Sequence, residues 1–265
     1  IIKYQHKFKM IFKKLFTGIK IRIYKLFNKN RGYFDIAGKK MFLDFLDPID
    51  REIIINQKYE EQEIKILKKL YHDYNYEYFL DVGANCGYYC IKLSSEFNKL
   101  KLIAFEPNKE AFLKFSNTLK VNPKLKNRIK IHNFGLSSSS TQLEMTSLEK
   151  FGYLQSGGST IIDKNKKKLI KTKIFSCDFK IGIEVLNLKN KSICIKIDVE
   201  GHEYQVIDGI KDLLKENKVI IQVEISEKNF EKMNAFLRDL NFFFFEKIYG
   251  REKWIANYYY RNFDN

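Results

Sequence analysis

Short apolar runs alternate with amphipathic segments along most of the chain. Five runs have the length and the branched apolar side chains typical of strands, and they begin at Phe79, Lys101, Ile129, Ile193 and Val219. Helical spacing follows the second run, where Asn108 is placed to cap a segment that ends before Pro123. Alternating strands and helices predict an α/β fold with a doubly wound, mostly parallel, seven-stranded sheet.

The end of the chain breaks this alternation. Phe242–Tyr249 and Lys253–Arg261 are two strand-like runs with only a short turn at Gly250-Arg251 between them. They predict a C-terminal antiparallel hairpin, because so short a connection cannot cross over between parallel strands. With 265 residues, the chain is long enough to bury a full core, and residues 32–265 are interpreted as one catalytic domain.

The first strand-like run leads into a turn with chemical character, Asp81-Val82-Gly83-Ala84-Asn85-Cys86-Gly87. A dinucleotide fingerprint needs a middle glycine so that the backbone can approach a pyrophosphate, and Asn85 stands at that place here. Asp81 would repel a pyrophosphate, whereas it would hold the ammonium group of a methionine-like cofactor. The turn therefore favours S-adenosylmethionine and disfavours a nicotinamide-dependent dehydrogenase.

A second acid ends the next run. Glu106 lies 23 residues after Gly83, where the end of the following strand of a βαβ unit is expected. A carboxylate at this place can accept hydrogen bonds from both ribose hydroxyls of a bound nucleoside.

Acids cluster again after the run that begins at Ile193. Asp198, Glu200 and His202 are the catalytic candidates, because methyl transfer to an oxygen needs a general base within hydrogen-bond reach. Asp198 is the first choice, and His202 is the alternative, since imidazole titrates near neutral pH. Glu203 and Glu224 are placed to contact the acceptor, although Glu203 could instead serve only the start of the next helix.

This series of motifs resembles the FkbM family of S-adenosylmethionine-dependent methyltransferases. The matching pieces run in chain order and include Asp81–Gly87, Phe105–Asn108, Leu136-Ser137, Lys196–Glu203 and Glu224. The resemblance implies a class I methyltransferase fold and O-methylation, often of a sugar or polyketide hydroxyl. It implies cofactor binding by Asp81, Gly83, Asn85, Gly87, Glu106, Pro107, Ser137 and Asp198, and it also places Glu60 near the cofactor. Because no acid follows the third strand, a backbone carbonyl or serine there must serve the adenine.

Two segments are expected to frame this site. Residues 32–77 form a lead-in cap, with a strand at Lys40–Leu43 and a helix over Tyr59–Tyr71. Residues 138–179 form an insertion in which Gln142–Thr146 and Thr172–Ser176 pair as a hairpin. The Gly157-Gly158-Ser159-Thr160 stretch of the insertion predicts a mobile acceptor loop. The lysine run 164–168 would contact an anionic acceptor. Cys177-Asp178 is interpreted as a strand exit before a helix.

The first 31 residues carry ten lysines and arginines and no acid, out of a net charge of +16 for the chain. Their apolar residues recur at helical spacing, which predicts a basic amphipathic helix. Such a helix can lie on an anionic membrane surface through residues 1–28, or pack on the catalytic domain or a partner. A nucleic-acid tether is disfavoured, because the aromatic residues fall on the apolar face.

Composition narrows the function classes further. The four cysteines form no Cys-x-x-Cys pair, no apolar run is long enough to span a bilayer and no secretory leader is visible, so a cytoplasmic protein with reduced thiols is expected. No metal site is predicted, although clustered carboxylates could take a divalent cation. A sugar, glycan or glycolipid precursor is the expected acceptor. The alternatives are an RNA ribose methyltransferase and a non-catalytic binding protein on the same fold.

Overall fold

The computed structural model describes residues 19, 30–150, 153–154, 157–162, 172–250 and 254–264. The predicted basic helix therefore falls almost wholly outside the described residues, and so does the lysine run 164–168. Within the described part, no helix combines the length and the apolar character needed to cross a bilayer.

The chain order of the elements begins with a small hairpin and two helices. These are β1 (Arg31–Ile36), β2 (Lys39–Asp44), α1 (Pro48–Asn56) and α2 (Glu61–Tyr74). The parallel βα units follow as β3 (Tyr78–Val82), α3 (Tyr88–Glu96), β4 (Lys101–Phe105), α4 (Lys109–Lys120), α5 (Pro123–Lys126) and β5 (Ile129–His132).

The middle and the end of the chain complete two sheets. The middle contains β6 (Gly135–Ser137), β7 (Thr141–Lys150), β8 (Tyr153–Leu154), β9 (Thr160–Ile161), β10 (Thr172–Ile181) and α6 (Gly182–Val185). The end contains β11 (Ser192–Ile197), α7 (Glu203–Gly209), α8 (Lys211–Glu216), β12 (Lys218–Ser226), a 3₁₀ turn (Glu227–Asn229), α9 (Phe230–Asp239), β13 (Phe243–Tyr249) and β14 (Ile255–Arg261).

The main sheet has the strand order β13-β14-β12-β11-β3-β4-β5. Its five strands from β12 to β5 run parallel, while β14 pairs antiparallel with both β12 and β13. The predicted α/β class with a mixed sheet is therefore confirmed.

Apolar packing covers both faces of this sheet. Phe79 of β3 belongs to the core beside α2 and α3, whereas its neighbour Leu80 belongs to the core beside α7, α8 and α9. This division follows from the alternation of side chains along a strand, and it explains why the parallel strands appear as continuous apolar runs.

A second sheet, formed mainly by the insertion, follows β5 in the chain and begins with β6. β10 pairs antiparallel with β7, which confirms the predicted insertion hairpin, and Ile174 lies opposite Thr146. Two predictions are wrong here. The third strand ends at His132 instead of Phe134, because Gly135–Ser137 turns away to pair with β10. Cys177-Asp178 is not a strand exit, because β10 continues to Ile181.

Candidate active site

A cleft opens at the carboxyl ends of β3, β4, β11 and β12, which is the edge where open α/β sheets bind ligands. It encloses about 1020 Å³, its open mouth included. Most of the predicted site residues line it, and these are Glu60, Asp81, Gly83, Asn85, Glu106, Pro107, Asp198, Glu200, His202 and Glu224. Gly87, Ser137 and Glu203 lie beside the cleft without lining it.

Asp81 is the most deeply buried acid of the cleft, with 1% of its surface exposed. Its Oδ2 accepts a hydrogen bond from the Cys90 thiol at 3.4 Å, while its Oδ1 has no partner among the described residues. Burial raises the pKa of Asp81 to about 6, against the opposing effect of the nearby Lys196 ammonium. A buried carboxylate with an unpartnered oxygen is suited to bind a cationic group.

The glycines of the turn permit close approaches that other residues would block. Gly83 has a φ of +86°, and a Cβ built on it would lie 1.9 Å from the Asp198 carbonyl oxygen. Gly87 has a φ of +82°, and its Cβ would lie 2.4 Å from the Phe115 ring. Asn85 also has a positive φ, +49°, and its buried Oδ1 has no partner among the described residues. The turn thus holds β3 against the loop after β11 and leaves a second acceptor atom available in the cleft.

Glu106 is held by the backbone at both of its carboxylate oxygens. Oε2 accepts from the Asn85 amide and Oε1 accepts from the Asn108 amide, each at 2.8 Å. Burial raises the pKa of Glu106 to about 7, against these two hydrogen bonds. Since each carboxylate oxygen can accept a further bond, Glu106 is a fixed acceptor for ligand hydroxyls. Next to it, the Pro107 carbonyl accepts from the Cys177 thiol at 3.1 Å.

Lys196 is a site residue to which the sequence analysis assigned no role, although it begins the matched Lys196–Glu203 block. It is 3% exposed, and its ammonium lies 2.8 Å from Asp198 Oδ2 and 4.7 Å from the centroid of the Tyr89 ring. The Tyr89 hydroxyl donates to Glu60 Oε2 at 2.5 Å. A lysine within an apolar strand, two positions before an acid, was the available signal. Its pKa is raised, because the attraction of Asp198, Asp81 and Glu60 outweighs the effect of burial.

Glu224 reaches the same charge cluster from the end of β12. Its Oε2 accepts from the Asn257 amide at 3.2 Å, and the Asn257 oxygen accepts in turn from Gln222 at 2.8 Å. The nearby Asp198 carboxylate is the main cause that raises the pKa of Glu224 to about 9, and burial is the second. Glu224 also lines a shallower mouth that continues outward from the cleft.

The residues after Asp198 point in different directions. Glu200 is exposed at the rim with a φ of +54°, and its carbonyl accepts from the Thr160 hydroxyl at 2.9 Å. His202 lines the cleft, and one ring nitrogen, Nε2, lies 3.0 Å from the Ser137 hydroxyl. Burial lowers the pKa of His202. Glu203 is buried, and its carboxylate accepts a hydrogen bond from the Gly201 amide at 2.8 Å. This contact favours the alternative in which Glu203 serves the start of the next helix.

The glycine-serine stretch closes one side of the cleft. Gly157, Gly158 and Ser159 line it, and the Ser159 hydroxyl lies 2.5 Å from that of Ser147. The side-chain amide of Asn108 donates to the Ser159 hydroxyl at 3.3 Å, so the stretch is tied to the loop after β4. The four cysteines are free and buried, and among the described residues no three His, Cys, Asp or Glu side chains converge as a metal-binding group.

Comparisons with known proteins agree with this geometry. The methyltransferase sdnD of Sordaria araneosa is 24% identical over 182 residues, which cover 56% of this chain and 68% of that protein. A crystal structure of methyltransferase FkbM from Methylobacillus flagellatus KT superposes with a TM-score of 0.50 at 15% identity, over 70% of this chain. The matched part is only 44% of that chain.

A second structure with the same fold is TYW2 of P. horikoshii in complex with MeSAdo. It has a TM-score of 0.50 at 14% identity and covers 88% of this chain and 71% of its own. At such identities, likeness of structure shows the fold alone. The family model for the methyltransferase FkbM domain, however, matches residues 81–244. Because this match spans more than half of the chain, the protein belongs to the FkbM methyltransferase family.

Proposed function

We propose that this protein is an S-adenosylmethionine-dependent O-methyltransferase that acts on a hydroxyl of a sugar, glycan or glycolipid precursor. One observation carries the cofactor assignment. Asp81 and Asn85 offer unpartnered oxygens to the same cleft in which Glu106 is held by two backbone amides. These groups fit the ammonium, the methionine end and the ribose hydroxyls of the cofactor respectively.

The residues of this chain would divide the work of the reaction. The bound cofactor supplies an electrophilic methyl group on a positively charged sulfur. Asp81 and Glu106 would bind the two ends of the ligand, in the cleft whose wall includes the loop that Gly83 holds against Asp198. Alignment of this kind supplies much of the rate acceleration in group transfer. A carboxylate of the cleft then takes the hydroxyl proton.

The mouth of the cleft supports a hydroxyl-rich acceptor. Its walls carry Glu60, Glu61, Glu200 and Glu224, together with the exposed ring of Tyr249. Carboxylates accept hydrogen bonds from hydroxyls, and an aromatic face can cover the apolar side of a sugar ring. The same acids would repel the phosphates of RNA, so an RNA ribose methyltransferase is the weaker candidate despite the basic chain.

Calorimetric titration with S-adenosylhomocysteine tests the cofactor assignment, with NAD⁺ as the control ligand. We expect micromolar binding of the first and none of the second, and a loss of about tenfold or more in affinity for Asp81→Asn, because a charged hydrogen bond is removed. Absence of S-adenosylhomocysteine binding to the unaltered protein would refute the proposal. Transfer of an isotope-labelled methyl group to a panel of neutral, amino and phosphorylated sugars then tests the acceptor class.

A further inference from the structure

We infer that Glu224 is the catalytic residue that takes the acceptor's hydroxyl proton, with Asn257 holding its carboxylate in place. This inference rests on the proposed function. It departs from the sequence-based first choice of Asp198, because the structure commits that carboxylate to another partner.

Asp198 is poorly placed to act as the base. Its Oδ2 accepts a 2.8 Å hydrogen bond from the buried Lys196 ammonium. Its own backbone carbonyl is wedged against Gly83, which fixes the position of the residue. Taking up a proton would break a buried ion pair and leave the Lys196 charge without its nearest counter-ion, which is strongly unfavourable.

His202 and Glu200 are also less suitable. His202 is engaged with the Ser137 hydroxyl at 3.0 Å, and Glu200 is exposed at the rim.

Glu224 occupies the boundary at which cofactor and acceptor would meet. It lines both the cleft that contains Asp81 and the mouth that contains Tyr249. Its contact with Asn257, at 3.2 Å, involves Oε2. Asn257 is 1% exposed and is itself held by the fully buried Gln222, so the amide cannot easily turn away. No described residue hydrogen-bonds to Oε1, and this oxygen is the one assigned to the acceptor.

The charges that face Glu224 make its protonation sensitive to one further positive charge. Asp198, burial, Glu60 and Glu200 favour the neutral acid and outweigh the opposing effect of Lys196, so that the pKa of Glu224 is raised to about 9. A sulfonium bound beside the carboxyl adds a second cation and lowers this pKa, which releases the proton and prepares a base.

The step balances in atoms and charge. The bond between the methyl carbon and sulfur breaks and its electron pair stays on sulfur, while an acceptor lone pair forms the new carbon–oxygen bond. The oxygen–hydrogen bond breaks, and its proton passes to the Glu224 carboxylate. Because the positive charge on sulfur disappears in the same step, the basicity of Glu224 rises as the proton arrives.

Proton-linked calorimetry tests this without an identified acceptor. S-adenosylmethionine and S-adenosylhomocysteine are titrated at pH 8 in buffers that differ in ionisation enthalpy, and the slope gives the protons released. The charge on sulfur also lowers the pKa of the ligand's own ammonium, so the comparison between protein variants is what isolates the contribution of Glu224. We expect the methylated ligand to release more protons from the unaltered protein than from Glu224→Gln, and we expect a smaller change between the two proteins with S-adenosylhomocysteine.

Two variants complete the design. Glu224→Asp keeps a carboxyl group and should retain the difference, which covers the case of a poorly folded Gln variant. Glu216→Gln removes an acid that lies outside both the cleft and its mouth and pairs with Lys189 at 3.0 Å, and it should match the unaltered protein. A difference between the ligands that is as large in Glu224→Gln as in the unaltered protein overturns the inference while leaving the proposed function intact. Failure of both ligands to bind the unaltered protein overturns the proposed function.

Discussion

The carbonyl oxygen of Asp198 fills the space that a side chain on Gly83 would need, at 1.9 Å from the position of its Cβ. This contact joins the cofactor turn to the acidic loop, so we predict that Gly83→Ala separates them. The φ of +86° adds backbone strain to the clash. We expect a loss of about 3 kcal/mol or more in the free energy of unfolding, measured by urea denaturation, and the loss of S-adenosylhomocysteine binding.

Gly38→Ala is the matched control for this change. Gly38 has a φ of +71° in the turn between β1 and β2, and no atom lies within 4 Å of its built Cβ. It should therefore show only the strain of the backbone, about 1 kcal/mol, with cofactor binding retained. Equal losses in the two variants would mean that the Asp198 contact has no special role.

Asp81 is expected to lower the free energy of unfolding when it is ionised, although it contributes to cofactor binding. Its folded pKa of about 6 lies above its ordinary value, because burial disfavours the ionised form. The protein therefore loses stability as pH rises from about 4 to about 6, and this loss persists above that range. We predict that Asp81→Asn raises the free energy of unfolding at pH 8 by on the order of 2 kcal/mol, while it weakens S-adenosylhomocysteine binding.

Denaturation at pH 4 and pH 8, together with calorimetric titration at pH 8, checks both parts. At pH 4 the variant and the unaltered protein should differ little, since Asp81 is then protonated in the folded state. If stability and binding are both unchanged at pH 8, Asp81 does not occupy the ligand end of the cleft.

The strands of the main sheet could be predicted because they are buried on both faces. Ile193 and Val219 begin runs that are buried on both faces and are mostly apolar, so pattern alone identifies them. The end of the strand that begins at Ile129 was predicted wrongly for a related reason. Phe134 remains partly buried after the chain has left β5 for the second sheet, and apolar character cannot tell one sheet from another.

The site was predictable where an acid lies at the carboxyl end of a strand. Asp81 is the penultimate residue of β3, Glu106 directly follows β4, and these strand ends meet at one edge of the parallel sheet. Lys196 was not predicted, since a single lysine in an apolar run suggests a side chain that reaches solvent. Only the packing of β11 between β3 and β12 shows that acids from separate strands surround it.

Substitution of Glu203 tests whether this acid stabilises the fold or contacts the acceptor. Its carboxylate accepts from the Gly201 amide at 2.8 Å and lies outside the cleft lining. We predict that Glu203→Ala lowers the free energy of unfolding by about 1 kcal/mol and leaves S-adenosylhomocysteine affinity unchanged. Glu200→Ala, at the exposed rim, should leave stability unchanged. Loss of methyl transfer in Glu203→Ala at full stability would restore its predicted role toward the acceptor.

The basic segment of residues 1–28 supports a proposal that rests on sequence alone. We predict that the full chain sediments with vesicles containing anionic phosphatidylserine, and that removal of residues 1–28 abolishes this binding. The reason is the attraction between its lysines and the lipid headgroups, with apolar residues inserted on the other face. Neutral vesicles and raised salt are the controls. Undiminished binding by the shortened chain would exclude the membrane role.

Lys196 should stabilise the protein mainly when the acids around it are ionised. Without its charge, the pKa of Asp81 rises further, so the ionised form of Asp81 becomes more costly as pH increases. We predict that Lys196→Met loses about 3 kcal/mol at pH 8 and clearly less at pH 5, where Asp81 is largely protonated. Lys196→Arg should recover part of this loss. As a matched control, Lys92→Met removes a partly buried lysine that lies outside the cleft near an aromatic ring and an acid, and it should lose less than about 1 kcal/mol. Equal losses for Lys196→Met at both pH values would show that the lysine contributes by packing and not by charge.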